Sequence, residues 1–183
     1  PAGCGALFVV DGVFSLGGDL ANLPEICRLA HGYGATVMVD DAHGLGVVGP
    51  GGRGTAHQFG LEAEVDILMG TFSKSLASLG GYVAASHEII DFLRHTSAPF
   101  IFSASIPPAS AAVALAALRY LKGHPELVDR LRAISRYARE AFGRRGIPLR
   151  ESARMSSTPI LPLLIGGTHE TLVAAKRIYD AGV

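Results

Sequence analysis

Short apolar runs alternate along this chain with segments whose apolar residues recur at helical spacing. Each run is four to six residues long, as buried strands are, and the runs cover residues 6–10, 36–39, 65–69, 80–84 and 160–165. Helical patterns cover residues 23–33, 55–59, 87–95, 107–122, 125–145 and 169–181. Strands joined by helical crossovers indicate an α/β fold with a mostly parallel sheet and helices on both of its faces.

A polar segment separates two unequal parts of the chain. Residues 144–157 are rich in charged and hydroxyl side chains, and we interpret them as the lead into a second domain. We predict a large α/β domain at residues 1–122 and the start of a smaller C-terminal α/β domain at residues 123–183. The chain opens on Pro1 rather than Met and stops at Val183 shortly after an apparent helix, so we expect a fragment of a longer protein.

The composition argues against several classes of partner. Sixteen basic and sixteen acidic residues cancel, so no net field favours nucleic acid or an anionic membrane. Residues 109–118 are the longest apolar stretch, and we interpret them as a buried helix because a membrane span needs roughly twenty residues. Two cysteines form no disulfide framework. We expect a cytoplasmic protein without a membrane span, a nucleic-acid partner or a metal site.

Lys74 is the first residue with candidate chemistry. It lies in the loop GTFSKS at residues 70–75, between two predicted strands. A partly desolvated lysine beside hydroxyl groups can lose its proton and form a Schiff base with a carbonyl carbon. Most loop lysines are only solvated surface charges. A second motif supports a chemical role for Lys74: the sequence DDAH at residues 40–43, which ends an upstream strand.

An acidic motif at a strand end lies where open α/β sheets bind ligands, and it permits three interpretations. Residues 40–43 resemble the magnesium box of a helicase and residues 103–105 a later helicase motif, but the sequence contains no phosphate-binding loop. Residues 44–54 match the dinucleotide fingerprint twice, but the first match contains two valines and the second a proline far from the preceding strand. An NTPase and an NAD-binding protein are therefore remote alternatives.

The third interpretation joins Asp40 to Lys74. Pyridoxal phosphate (PLP) requires a lysine for its aldehyde, an acid for its pyridine nitrogen, and donors for its phenolate and phosphate oxygens. Asp40 can supply the acid, His43 a donor to the phenolate oxygen and Lys74 the amine. Thr71 and Ser73 offer hydroxyl groups for the phosphate. This set of residues favours PLP as the cofactor.

Five segments, in order, resemble signatures of the α-oxoamine synthases, which are fold-type I PLP-dependent enzymes related to class II aminotransferases. The segments are DGVFSLGGD at residues 11–19, VDDAHGLG at 39–46, GRGT at 52–55, GTFSKS at 70–75 and PFIFSASIPP at 99–108. Members of this family condense an amino acid with an acyl-thioester, in most cases with release of carbon dioxide. Residues 72–75 and 77–81 look more like serine palmitoyltransferase than like 8-amino-7-oxononanoate synthase or glycine C-acetyltransferase.

The resemblance implies a role for each matching residue. Lys74 matches the lysine that holds the cofactor, Asp40 the partner of the pyridine nitrogen and His43 the contact of the phenolate oxygen. Ser15 matches a serine that hydrogen-bonds near the cofactor, and Thr71 a phosphate-binding threonine.

The resemblance also implies a site that two subunits share. Ser103 and Ala104 fall where the family supplies phosphate contacts from the second chain of a homodimer. The residue that stacks on the cofactor ring is expected upstream of Pro1, and the arginine for the substrate carboxylate beyond Val183. We therefore expect this chain alone to be inactive.

The implied protein is a PLP-dependent acyltransferase acting on serine, alanine or glycine and on an acyl-CoA or acyl-ACP thioester. Residues 1–122 would then be the C-terminal half of its PLP-binding large domain. Two alternatives remain open, another fold-type I enzyme such as an aminotransferase and a catalytically silent partner subunit. Lys74 argues against the silent subunit, which has no need of the amine.

Overall fold

The described part of the chain forms one sheet whose strands follow the order of the sequence. In this computed structural model, residues 5–150 and 157–183 are described. The strands are β1 (Ala6–Asp11), β2 (Ala35–Asp40), β3 (Ile67–Thr71) and β4 (Gly81–Ala85). The first three are parallel, and β4 is antiparallel to β3. The sheet is therefore mostly parallel, as the alternation of strand and helix patterns predicts.

Helices connect the parallel strands and follow the last strand. They are α1 (Leu23–Gly32), α2 (Thr55–Phe59), α3 (His87–Thr96), α4 (Ala98–Ile101), α5 (Pro108–Gly123), α6 (Glu126–Arg144) and α7 (Thr168–Asp180), with a 3₁₀ turn at Pro50–Gly52. α1 joins β1 to β2, and α2 joins β2 to β3. The sequence pattern predicts all of these helices except α4, and the predicted bounds agree with the structure within one residue.

The hydrophobic core lies between α1 and β2. Leu23 and Cys27 of the helix, together with Val37 and Val39 of the strand, are at most 2% exposed and pack in one cluster. Gly34 follows α1 with a φ of +68°, which lets the chain turn back into β2. Each fully buried valine or leucine contributes about 1.5 to 3 kcal/mol. This cluster fixes the position of β2 and of the residues that follow it.

β1 is much less covered than β2. Leu7, Phe8 and Val9 are 55%, 45% and 55% exposed. Successive residues of a strand point to opposite faces of the sheet. The helical cover expected on both faces therefore does not extend to β1 within the described residues.

The predicted strand at residues 160–165 is wrong. Among the described residues, this segment makes an isolated antiparallel bridge, between Leu163 and Leu149, and no continuous strand. Leu164 N–H donates to the Pro148 carbonyl at 3.0 Å, and the Pro162 carbonyl accepts from Arg150 N–H at 3.2 Å. Proline lacks the N–H that a continuous ladder needs, so Pro162 interrupts a run that is otherwise apolar enough for a strand.

α5 is exposed rather than buried. Val113, Leu115 and Leu118 are 45 to 48% exposed, and Ala114 is the buried residue of this helix. The prediction of a buried helix at residues 109–118 is therefore wrong for the described chain, because apolar content does not say which surface covers a helix. As for the membrane, none of the helices in the described ranges is long and apolar enough to cross one.

α6 is attached to loops of the predicted large domain. The Arg132 guanidinium donates to the Gly49 carbonyl, and Arg139 donates to the Thr158 carbonyl at 2.7 Å. The Thr158 hydroxyl in turn donates to the Gly18 carbonyl at 2.7 Å. The division of the chain after residue 122 stays a prediction, and these contacts link its two proposed parts.

A buried carboxylate holds the chain where β2 ends. Asp41 is 2% exposed, and its two oxygens accept from the backbone N–H and the hydroxyl of Thr55, at 2.7 and 2.5 Å. Burial raises the pKa of the Asp41 carboxyl, the hydrogen bonds from Thr55 lower it in part, and the charge of Asp40 raises it again. The net result is a pKa above the ordinary value for aspartate.

Asp41→Asn should therefore make the whole protein more resistant to unfolding at neutral pH. Because the folded state raises the Asp41 pKa, this group contributes stability below its unfolded pKa, and that contribution is lost as pH rises through the folded pKa. Asparagine does not ionise, and its amide can still accept from Thr55 N–H and donate to the Thr55 hydroxyl. Thermal unfolding from about pH 4 to pH 8 should show the advantage of the variant growing with pH.

Asp129→Asn is the matched control, since the Asp129 side chain is 75% exposed on α6. Its unfolding temperature should follow the wild type across the same pH range. A variant Asp41→Asn that is equally destabilised at every pH would contradict the raised pKa.

Candidate active site

The carboxyl ends of the three parallel strands meet at one edge of the sheet. Asp11, the last residue of β1, lies beside Asp40, the last residue of β2. Asp40 also pairs with Met69 of β3, two residues before that strand ends at Thr71. Ligands of open α/β sheets bind outside this edge. The loops that follow the three strands carry Ser15, His43 and Lys74.

β3 reaches closer to Lys74 than its apolar run predicts. The run at residues 65–69 predicts a strand, but β3 spans Ile67–Thr71. Gly70 and Thr71 pair with β4, and glycine is a poor strand former, so the sequence pattern missed this end of the strand. The sheet therefore supports the chain to within three residues of Lys74.

His43 lies among the charged candidate residues and is half-buried. Burial lowers the pKa of its imidazole, and the positive charge of Lys74 lowers it further. The negative charges of Asp11 and Asp40 act in the opposite direction without reversing the shift. A pKa below the ordinary value keeps His43 neutral at pH 7, with one ring N–H free to donate and one ring nitrogen free to accept.

Asp40 and Lys74 both lie near enough to His43 for their charges to act on its pKa. Asp40 is half-buried, and its Oδ1 accepts from Ala42 N–H at 3.0 Å. That bond turns the chain sharply after β2 and leaves the second carboxylate oxygen of Asp40 for another partner. The three residues that the sequence analysis singled out therefore lie together.

The loop around Lys74 is closed by its own backbone. Phe72 N–H donates to the Gly80 carbonyl at 2.9 Å, and Ser78 N–H donates to the Phe72 carbonyl at 2.8 Å. Leu76, 2% exposed, anchors the loop in the protein interior, while Lys74 is exposed. Such a closed loop holds the lysine backbone in place and leaves the amine free to move.

Two hydroxyl groups stand next to the lysine. Thr71 Oγ1 and Ser73 Oγ are 2.8 Å apart, and Thr71 Oγ1 also accepts from Ser73 N–H at 3.2 Å. Thr71 Oγ1 lies 3.1 Å from the Gly80 carbonyl, to which it can donate. Because Thr71 directs its single hydroxyl hydrogen to Gly80, Ser73 is the member of the pair that can turn its hydrogen toward an anion beside the positive charge.

The other predicted site residues, Ser15, Ser103 and Ala104, are exposed. Ser15 is exposed in a turn after β1 that Gly18 N–H closes by donating to the Phe14 carbonyl at 2.8 Å. Ser103 and Ala104 are exposed between α4 and α5. Within the described residues, Ser103 and Ala104 make no hydrogen bond to the residues at the strand ends. The role of Ser15, Ser103 and Ala104 in the site stays a prediction.

The glycine-rich loop at residues 44–54 packs against the lysine loop. A Cβ on Gly46 would lie 2.5 Å from the Cβ of Ser75, and Gly46 has a φ of +78°. A glycine is therefore required at this position by a contact within the chain. The same holds for Gly80 and Gly81, where an added Cβ would meet Ile106 and the Gly70 carbonyl, each at 2.6 Å.

Sequence reasoning missed three residues near the site. Asp11 acts on His43 through its charge, and Asp41 and Thr55 form the buried pair below the end of β2. Gly12 and Gly44 are the trace that Asp41 leaves in the sequence, because both positions lie against its carboxylate and leave no room for a Cβ. Strand alternation places Asp41 on the buried side of Val37 and Val39, but the sequence does not identify Thr55 as its partner.

Comparison with known proteins places this arrangement in a family. The profile of aminotransferase class I and II matches residues 4–180. Serine palmitoyltransferase of Bacteroides thetaiotaomicron is 50% identical over 177 residues, which are 97% of this chain and 44% of the relative. The 8-amino-7-oxononanoate synthase of Alkaliphilus metalliredigens is 42% identical over 177 residues, with the same coverage of 97% and 44%. The chain thus spans less than half the length of these curated relatives.

Solved structures agree with the sequence relatives. Serine palmitoyltransferase from S. paucimobilis, solved with a PLP–myriocin aldimine bound, superposes with a TM-score of 0.85 at 34% identity, over 92% of this chain and 43% of that one. The 8-amino-7-oxononanoate synthase of Francisella tularensis shares the fold, with a TM-score of 0.84 at 20% identity over 96% and 51%. The predicted fold class and the resemblance to α-oxoamine synthases are confirmed. This chain belongs to the aminotransferase class I and II family.

Proposed function

We propose that this chain is part of a PLP-dependent C-acyltransferase that condenses an amino acid with an acyl-CoA or acyl-ACP thioester to give an α-oxoamine, usually with loss of carbon dioxide. The observation that carries the proposal is the convergence of Asp40, His43 and Lys74 at the carboxyl edge of the sheet. Serine is favoured over alanine and glycine as the amino acid, since two serine palmitoyltransferases are 50% identical to this chain, while 8-amino-7-oxononanoate synthases are 41 to 48% identical.

The donor set fits PLP group by group. Asp40 has a carboxylate oxygen to pair with the pyridine nitrogen, and neutral His43 has an N–H for the phenolate oxygen. Lys74 supplies the amine for the aldehyde carbon, and the hydroxyls of Thr71 and Ser73 suit the phosphate. When bound, PLP supplies an electron sink for the charge left at the substrate α-carbon.

Each side chain then has a defined task. Asp40 keeps a negative charge beside the ring nitrogen and so holds a proton there. His43, with its lowered pKa, orients the ring through a hydrogen bond and adds no second positive charge next to Lys74. Lys74 on its closed loop holds the cofactor and can carry a proton to or from the substrate α-carbon. Ser15 lies in the loop after β1, from which its hydroxyl can reach the same edge.

The proposed enzyme is a cytoplasmic homodimer with shared active sites. Ser103 and Ala104 are exposed beside Phe102, which is 85% exposed, so this segment is accessible to a second chain. A two-fold interface is isologous, so each chain would give this segment to its partner and receive the partner's copy. The free, buried Cys27 agrees with a reducing compartment.

Lys74 should be the residue that binds PLP in the whole protein. Purified protein should show a visible absorbance band that borohydride abolishes, and peptide mapping should find the reduced cofactor on Lys74. Lys74→Ala should lose the reducible band, while Lys122→Ala, which removes an exposed lysine of α5, should keep it. Cofactor mapped to any other lysine would overturn the central assignment.

Asp40→Asn should leave cofactor bound but slow exchange of the substrate α-proton by several powers of ten. Asparagine preserves the shape of Asp40 and removes the charge that keeps the ring nitrogen protonated, and each tenfold loss corresponds to about 1.4 kcal/mol of transition-state stabilisation. Proton exchange into solvent deuterium is the measurement. Asp91→Asn, on an exposed face of α3, is the control. Exchange at the wild-type rate in Asp40→Asn would exclude this role.

Two inactive variants should restore activity when their chains are mixed. One variant is Lys74→Ala, and the other carries bulky substitutions at Ser103 and Ala104. Random exchange makes half of the dimers mixed, each with one intact site of two, so activity should approach about a quarter of the wild type. Each variant mixed with itself is the control. A mixture that stays inactive after proven subunit exchange would mean that each site is built within one chain.

A further inference from the structure

The segments that lead to the candidate site meet at Asp41. Its N–H donates to the Met69 carbonyl of β3 at 2.8 Å. Its carbonyl accepts from Gly44 N–H and Leu45 N–H, each at 3.0 Å, which closes the turn that contains His43. The backbone of Asp41 therefore joins the end of β2 to the strand before Lys74 and to the glycine-rich loop.

Three glycines surround the Asp41 carboxylate. A Cβ on Gly12 would lie 2.7 Å from Asp41 Oδ1, and a Cβ on Gly44 or Gly54 would come closer still. Gly54 has a φ of +100°, but Gly12 and Gly44 are not among the residues with positive φ. The space taken by the carboxylate, rather than the backbone conformation, therefore requires glycine at positions 12 and 44.

The two aspartates at the end of β2 point in opposite directions. Val37 and Val39 are fully buried against α1, and the two-residue period of a strand places Asp41 on their side of the sheet. Asp40 faces the other side, where it is only half-buried. One acid of the pair is thus directed to the candidate site and the other to the interior.

We propose that Asp41 is a positioning residue, which acts through Thr55 to fix the backbone at residues 40–45 and with it the direction of Asp40 and His43. The proposal rests on the proposed function, because it concerns how these two residues face the cofactor. Two donors on one residue hold the carboxylate at two points. Thr55 is fully buried, so its hydroxyl has no access to water as an alternative partner.

Stability alone does not account for this acid. Burying a carboxylate costs more than burying a neutral group of the same shape, so a purely structural position is better served by an amide. A charged acceptor makes shorter and stronger hydrogen bonds than an amide does. What the carboxylate adds is a stiffer link between the end of β2 and Thr55.

Removal of the Thr55 hydroxyl tests the proposal. Thr55→Val keeps the shape of the side chain and leaves one Asp41 oxygen without its donor, whereas Thr55→Ser keeps the hydroxyl. Hydrogen exchange of the amides of Gly44 and Leu45, measured on the cofactor-free whole protein, should rise about tenfold in Thr55→Val and Asp41→Ala. It should stay within about threefold of the wild type in Thr55→Ser, and Asp41→Asn should lie between these values because its neutral amide makes weaker bonds to Thr55 than the carboxylate does.

A second measurement reports on the cofactor itself. The visible circular dichroism of PLP, normalised to bound cofactor, depends on how the ring is held. It should fall severalfold in Thr55→Val and return in Thr55→Ser. Ser135→Ala is the matched control, because it removes another buried hydroxyl, which donates to the Leu131 carbonyl in α6. Its exchange at Gly44 and its circular dichroism should equal those of the wild type.

A double variant shows whether Thr55 acts through Asp41. Asp41→Ala with Thr55→Val should raise the exchange of Gly44 and Leu45 no more than Asp41→Ala does alone, since the bond is already lost. Additive effects would overturn the proposal. So would wild-type exchange in Thr55→Val, or an equal rise in Ser135→Ala. If Asp41→Ala does not fold, the comparison of Thr55→Val with Thr55→Ser decides.

Failure of the proposed function gives a different result. A protein that binds no PLP at Lys74 removes the circular dichroism signal from wild type and variants alike. The exchange measurement needs no cofactor, so it still decides whether the pair of Asp41 and Thr55 holds residues 40–45.

Discussion

The two hydrogen bonds from Thr55 to Asp41 connect the end of β2 to the start of α2, which the ladder of the sheet does not join. A parallel sheet fixes its strands, but the site lies beyond their carboxyl ends, where ladder bonds stop. Asp41 takes over at that point, because its side chain is bound by the start of α2 and its backbone by β3 and by the loop after His43. Glycines at 12, 44 and 54 bring three segments against the same carboxylate. The direction of Asp40 and His43 therefore depends on a contact that lies underneath the site.

The lysine loop is held by its own contacts, and the glycine-rich segment at residues 44–54 connects it to Asp41. Backbone bonds close the loop between Phe72 and Gly80, and Leu76 anchors it. Ala77 adopts a φ of +49°, unusual for a residue other than glycine, which is the kind of local strain that surrounding structure must hold. Gly46 lies against Ser75 at the foot of this loop, so the glycine-rich segment touches both Asp41 and the lysine loop. Asp40 and Lys74 are thus positioned by one connected packing unit.

The sequence predicts those features that depend on residues within one segment, and it misses those that depend on contacts between distant segments. The helix at residues 23–33 and the strand at 36–39 follow from periodicity, which is a property of the segment itself. The strand expected at 160–165 fails because Pro162 removes a ladder donor, and α5 is exposed although its sequence is apolar. Asp40, His43 and Lys74 were predicted from their motifs and order. The separate role of Asp41 was not, because its hydrogen-bond partner Thr55 lies 14 positions away in the chain.

The charges at the strand ends give the site a polarity. Asp11 and Asp40 lie together at the ends of β1 and β2, while Lys74 and the hydroxyls of Thr71 and Ser73 follow β3. The charges of both groups act on His43, and its lowered pKa keeps it neutral, so it can donate a hydrogen bond without adding a positive charge. A cofactor that carries a ring cation and a phosphate would fit with its cation toward Asp11 and Asp40 and its phosphate toward the hydroxyl groups. Hydroxyl groups at the phosphate end would leave Lys74 available for covalent chemistry rather than for holding the phosphate. The order of charged and hydroxyl side chains across the three strand ends would therefore favour one orientation of such a ligand.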